Sequence, residues 1–135
     1  SYFEHLLKIV KNHDYFHVLG HLDMILRDKS FGDKNLDTLE FRLIIDDILK
    51  TLIKNGKGIE VNSSGWRYHL NGPHPQIFII KRYKELGGKT ITTGSDSHYN
   101  DSVNVDIDKA TQVLRDLDFK EISYFVGGEE QRRKI

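Results

Sequence analysis

Asp96 and His98 are separated by one residue, at the end of the run Thr90-Ile91-Thr92-Thr93-Gly94-Ser95. In an extended segment, residues two apart point the same way. A carboxylate and an imidazole would then face one point, a donor set that suits Zn, Mn or Fe. The plainer alternative is a loop aspartate bonded to its own backbone beside a surface histidine. His21 closes a second β-like run, Phe16-His17-Val18-Leu19-Gly20. It reads as a third metal donor, with Gly20 permitting close backbone approach, or as a strand-end histidine bonded to a neighbouring carbonyl. Asp23 could orient a metal-binding imidazole or simply begin a turn.

Arg67 lies in the loop Ser63-Ser64-Gly65-Trp66-Arg67. Its planar fork matches phosphate oxygens, and the serine hydroxyls could add hydrogen bonds. The alternative is a solvated arginine. Glu60 and Asn62 share one face of a strand by alternation and read as structural polar groups that need partners. His5, His13, His17, His69 and His74 receive no role. His69 and His74 flank the Arg67 loop and could touch a substrate, but surface exposure is the simpler account. Trp66 could wall a pocket or cover the end of the sheet. The segment Gly87-Gly88-Lys89-Thr90 resembles the end of a phosphate-binding P-loop. The required first glycine is Tyr83, and the segment leads into a strand instead of a helix. Asn62-Ser63-Ser64 fits a glycosylation sequon without any secretory feature beside it.

These residues need elements to carry them. Apolar residues from Tyr2 to Val10 recur at helical spacing. A second helix follows, with Asp37 and Glu40 as a capping box, Phe41 to Leu52 as its apolar face, and Asn55-Gly56 as its stop. Gly58 to Asn62 is β-like, and a loop runs from Ser63 to His74. Pro75 suits a first helical position, ahead of a helix over Ile77 to Leu86 that Gly87-Gly88 ends. Thr90 to Thr93, rich in β-branched residues, is a third strand. Asp106 would cap a helix carrying Ala110, Val113, Leu114 and Leu117. Ile122 to Val126 is a fourth strand before a charged tail. This α-β-α-β-α-β-α-β order predicts about four parallel strands with intervening helices, and such sheets place their sites at the carboxyl ends of strands. His21, Arg67, Asp96 and His98 all follow such ends.

The 135 residues suit a single domain. Twenty basic and twenty acidic residues give a net charge of +0, with no basic excess that would argue for nucleic acid. With no Cys, disulfides, thiolate metal sites and a catalytic thiol are excluded. No apolar run approaches a membrane span, and a cytoplasmic location is the default expectation. The chain opens on Ser1 and its only Met is Met24, which reads as a processed product or a piece of a longer protein.

The stretches 18–23, 59–67, 83–89 and 91–98 together resemble histidinol-phosphatases of the polymerase-and-histidinol-phosphatase (PHP) superfamily, over about Tyr2 to Phe125. The resemblance implies part of a distorted seven-stranded, TIM-like β/α barrel with up to three divalent metals, Zn, Mn or Fe. It implies that His21 binds one member of a bridged metal pair, Asp96 the other and His98 the third metal, with Asp96 and His98 serving catalysis. Arg67 would hold the phosphate of a small phosphorylated substrate. The implied reaction is hydrolysis of L-histidinol phosphate to L-histidinol and phosphate, in histidine biosynthesis. The family's amino-terminal His-x-His motif is absent, so the match is to the carboxyl-terminal half of the barrel. Such a half, with open sheet edges, is expected to need its missing amino-terminal half or a second copy of itself, and to be inactive alone. Two other readings stay open: another PHP-type phosphoesterase, or a non-catalytic, self-associating piece with a partial metal site.

Overall fold

The computed structural model describes residues 2–20, 22–23, 36–67, 72–95 and 100–135, and within these all side chains except those of Arg67 and residues 100–106. The elements run α1 (Tyr2–Asn12), β1 (Val18–Leu19), α2 (Leu39–Lys54), β2 (Gly58–Asn62), α3 (Ser64–Arg67), α4 (Ile77–Glu85), β3 (Ile91–Gly94), α5 (Asn100–Asp116), β4 (Glu121–Val126) and β5 (Glu129–Lys134).

β1, β2 and β3 form a parallel sheet in that spatial order, with Leu19 opposite Ile59 and Asn62 opposite Gly94. Helices cover one face. Ile59 and Val61 of β2 and Ile91 of β3 share one buried cluster with Ile45, Ile48, Leu49 and Leu52 of α2 and with Ile79, Ile80 and Tyr83 of α4. Ala110 and Leu114 of α5 close the same core. The apolar periods that predict these helices are thus the faces that bury, and burial is what fixes them. α1 lies on α2, with Phe3 and Phe41 edge to face at 5.6 Å between ring centres. No helix among the described residues is long and apolar enough to cross a membrane.

The fourth strand departs from the expected parallel order. β4 pairs antiparallel with β5 in a separate two-stranded sheet, and the charged tail is that partner strand. Gly127 and Gly128 both have positive φ, 57° and 84°, the geometry of a tight hairpin turn. β5 carries charges along its length and is exposed, as suits an edge strand. Glu130 ties the two hairpin strands together by accepting from Ser123 Oγ at 2.5 Å, and fastens the hairpin to the main body by accepting from Thr90 Oγ1 at 3.1 Å.

Three helix signals are also relocated. The expected capping box does not form. Thr38 is the N-cap of α2 without a side-chain cap bond, and Asp37 instead accepts the Arg42 Nε–H. Pro75 precedes α4 and follows a cis peptide, and the helix starts at Ile77. Asp106 lies inside α5, which begins at Asn100. The helix ends follow one rule. After α2, Gly56 N–H donates to Ile53 O and Lys57 N–H to Leu52 O, and the pattern repeats at Gly87 and Gly88 after α4 and at Asp118 and Phe119 after α5.

Candidate functional site

Because the three main strands are parallel, their carboxyl ends share one edge of the sheet. β2 is central, so the segment leading to His21 and the segment leading to Asp96 flank it on opposite sides. His21, Asp96 and His98 themselves lie outside the described residues, and Arg67 is described only through its backbone, as the last residue of α3. Among the described residues, no three His, Asp or Glu side chains converge as a metal site.

What is described is the frame. Ile59 and Val61 turn toward the helices, so Glu60 and Asn62 turn to the other face. Asn62 is fully buried. Its Nδ2–H donates to Glu60 Oε1 at 3.1 Å, and its Oδ1 accepts the Ser64 N–H at 2.9 Å. Ser64 is the first residue of α3, so Asn62 satisfies a helix-start donor that would otherwise be orphaned. The loop expected over residues 63–74 therefore contains a short helix, launched from the end of β2 and ending at Arg67. A Cβ on Gly65 would sit 2.1 Å from Gly72 O, so only glycine lets α3 fold back on that backbone.

Glycine also shapes the sheet end. A Cβ on Gly94 would lie 2.8 Å from Glu60 Oε2, and one on Gly20 3.3 Å from Glu60 Oε1. The Glu60 carboxylate thus occupies space that both flanking strands leave open. Ser63 Oγ, next to Asn62, is buried without a hydrogen-bond partner among the described residues.

Behind this frame sits a pair that the sequence did not reveal. His74, expected at the surface, is fully buried, as is Asp23. Asp23 Oδ1 lies 2.7 Å from His74 Nδ1, and Oδ2 accepts the Gln76 N–H at 2.7 Å, just ahead of α4. His74 is buried because a carboxylate satisfies its ring, which a buried imidazole requires. The imidazole that Asp23 holds is that of His74, a residue with no expected metal role. A lone histidine between Pro73 and Pro75 carries no period that could place it inside. His74 also pairs with Asn62 through the backbone in both directions, at 2.6 and 2.8 Å.

No protein-family model matches the chain. A probable histidinol-phosphatase of Clostridium acetobutylicum is 32% identical over 124 residues, 91% of this chain and 48% of that protein. The histidinol-phosphatase of Lactococcus lactis subsp. lactis is 30% identical over 131 residues, 95% of this chain and 47% of the relative. A probable histidinol-phosphatase of Thermotoga maritima is 34% identical over 106 residues, 78% and 42% of the two chains. A crystal structure of histidinol phosphate phosphatase from Lactococcus lactis subsp. lactis, complexed with zinc, L-histidinol and phosphate, matches with a TM-score of 0.78 and 28% identity, over 96% of this chain and 49% of that one. The chain spans about half the length of the curated relatives it matches.

Proposed function

Because nearly the whole chain is related in sequence and fold to histidinol-phosphatases, over about half their length, we propose that it forms the carboxyl-terminal half of a metal-dependent histidinol-phosphatase. The fold match to an enzyme complexed with zinc, L-histidinol and phosphate carries this reading. In it, the three parallel strands belong to a distorted seven-stranded barrel whose other strands come from further polypeptide. The reaction is hydrolysis of L-histidinol phosphate to L-histidinol and phosphate.

His21, Asp96 and His98 are the residues that would hold divalent metal, with Zn favoured by the relative's complex and Mn or Fe as alternatives. Imidazole and carboxylate are fitting donors. The sheet register supports a shared site, since the segments entering His21 and Asp96 flank β2 and the glycines there keep the sheet end clear of Cβ atoms. Such metals, when bound, supply positive charge for a phosphoryl group and lower the pKa of water. Arg67 would grip phosphate oxygens through its fork. Asn62 sets where α3, and so the Arg67 backbone, begins.

The test is zinc-dependent phosphate release. The 135-residue chain alone should release little or none from L-histidinol phosphate, because three donors do not complete a three-metal site. The same chain joined to an amino-terminal half bearing the missing ligands should turn over, and Arg67→Ala should raise KM for the phosphate ester. Chelator-sensitive turnover by the isolated chain would overturn the proposed division of the site. A substrate panel separates this enzyme from other phosphoesterases of the same fold.

One observation favours a second reading. β1 pairs only with β2 among the described strands, so its other edge is open to another chain. A metal-free dimer in solution would favour a self-associating role over an enzymatic one.

A further inference from the structure

We propose that Asp23 and His74 form a buried brace that holds the metal-binding segment after β1 in fixed relation to the phosphate-binding segment after β2, making both positioning residues. The inference rests on the reading of His21 and Arg67 given above.

The brace links three stretches of chain, residues 22–23, 74–76 and 62–64. Asp23 follows His21 by two residues, and Leu22 between them is fully buried, so the chain just beyond His21 is pinned by packing and by Asp23 together. The Asp23 carboxylate holds the His74 ring with one oxygen and the Gln76 N–H with the other, both at 2.7 Å. His74 then clasps Asn62 at the end of β2 through both backbone groups, and Asn62 Oδ1 takes the Ser64 N–H that starts α3. A continuous set of hydrogen bonds thus runs from the segment after His21 to the helix that ends at Arg67.

Energetics point to geometry over stability. Burying a carboxylate and an imidazole demands full compensation, and apolar residues of similar size often serve a core as well or better. A chain selected for packing alone could fill this space with aliphatic side chains. A bidentate carboxylate does what they cannot, fixing a side chain and a backbone N–H two residues apart, on a stretch far from Asp23 in sequence, at hydrogen-bond distance. Neither residue is accessible to a substrate, so neither is a catalytic residue.

The test uses the 135-residue chain, Zn2+ titrated calorimetrically, and amide hydrogen exchange. Asp23→Leu keeps the branched shape, with two methyl groups in place of the two oxygens, and loses both acceptors. It should weaken Zn2+ binding about ten-fold, the scale on which groups supporting metal ligands act, and speed exchange at the Gln76, His74 and Asn62 amides. Asp23→Asn retains a carbonyl oxygen and should recover part of both losses. His74→Phe should add little to Asp23→Leu, since both cut the same link. Wild-type zinc affinity and wild-type exchange at Asn62 in folded Asp23→Leu would overturn the brace. Should Asp23→Leu fail to fold, the same readouts on Asp23→Asn and His74→Gln decide, with unchanged values again overturning it. If the unaltered chain binds Zn2+ no better than His21→Ala, the ligand reading fails. The brace then stands or falls on exchange at Asn62, across the bridge from Asp23.

Discussion

Alanine at position 88 should damage the fold out of proportion to one added methyl group. Gly88 is buried, and a Cβ there would lie 2.3, 2.4 and 2.5 Å from three ring atoms of Tyr83. Ordinary contact begins near 3.4 Å, so the ring would have to retreat by about 1 Å. It is poorly placed to do so. Tyr83 is 1% exposed, its hydroxyl donates to Thr90 O at 2.9 Å, and the same oxygen accepts the Thr90 N–H at 3.2 Å. Burial pushes the phenol up to about 12, so it remains a donor well into the alkaline range. Overpacking costs about 1–3 kcal/mol, and leaving the buried Thr90 N–H unpaired adds about 1–3 kcal/mol. A total of about 2–6 kcal/mol is a large share of a domain's stability, roughly 5–15 kcal/mol. At about 4 °C per kcal/mol, between the scales for shorter and longer domains, Tm should fall by roughly 10–20 °C. Because Thr90 O also accepts the Ile59 N–H, the damage should reach the β2–β3 register that leads to Asp96. Urea and thermal unfolding of Gly88→Ala, Tyr83→Leu and the double variant provide the assay. Removing the ring removes the clash, so the double variant should be more stable than additivity predicts by at least ~1 kcal/mol. A Gly88→Ala cost below ~1 kcal/mol, or strict additivity, would refute the argument.

Asp118 occupies the left-handed position after α5 with φ 68°, where the other two helices use glycine. Asp118→Gly should raise stability by about 0.5–1 kcal/mol despite losing the exposed pair with Lys120, since such pairs contribute little; thermal unfolding would detect it, and a lower Tm would count against the strain. Ser63→Ala removes a buried hydroxyl without a partner among the described residues, so stability should hold or rise by up to ~1 kcal/mol; a clear loss in urea unfolding would mean the hydroxyl is bonded in solution. Arg82 grips Asp46 with two nitrogens at 2.8 Å and, through that hydrogen bond, holds its carboxyl below the usual carboxylate range. A depressed carboxyl contributes stability above its unfolded value and loses it as pH falls through the folded one. Asp46→Asn should therefore flatten the stability curve below about pH 4, by less than ~1 kcal/mol because the pair is partly exposed; an unchanged acid limb would show that the pair is idle.

Periodicity made the helix and strand layer legible. The apolar repeats of α1, α2 and α4 and the run Gly58–Asn62 are short-range patterns, and burial against a common core turned each into the expected element. The antiparallel hairpin was less visible because a charged strand such as Glu129–Lys134 carries no alternation of apolar residues. Gly127-Gly128 was the available signal, a glycine pair suited to two positive φ angles. The glycines at 87 and 88, which imitate a phosphate loop, have two separate structural tasks: Gly87 turns the chain at φ 96°, and Gly88 makes room for the Tyr83 ring. Ring and glycine are five residues apart, yet only the folded turn brings them together. His74 was illegible for the opposite reason, since its partner Asp23 stands fifty-one positions away.

The two faces of the sheet place different demands on the chain. On the helix side, aliphatic residues from α2, α4, α5, β2 and β3 bury one another, so the hydrophobic driving force for this layer is supplied within the described residues. The opposite face presents Glu60, whose carboxylate has Asn62 as its sole hydrogen-bond partner among those residues. On the proposed reading this carboxylate faces a barrel interior, which calls for more donors or a cation than one amide provides. On that same reading, these come from the other half of the barrel, from the metals, or from both. Folding of this layer and completion of the site are therefore separable. Stability variants such as Gly88→Ala should register in the 135-residue chain alone, whereas Gly94→Ala, which would press its Cβ against Glu60 Oε2, should cost little there and more in the completed enzyme.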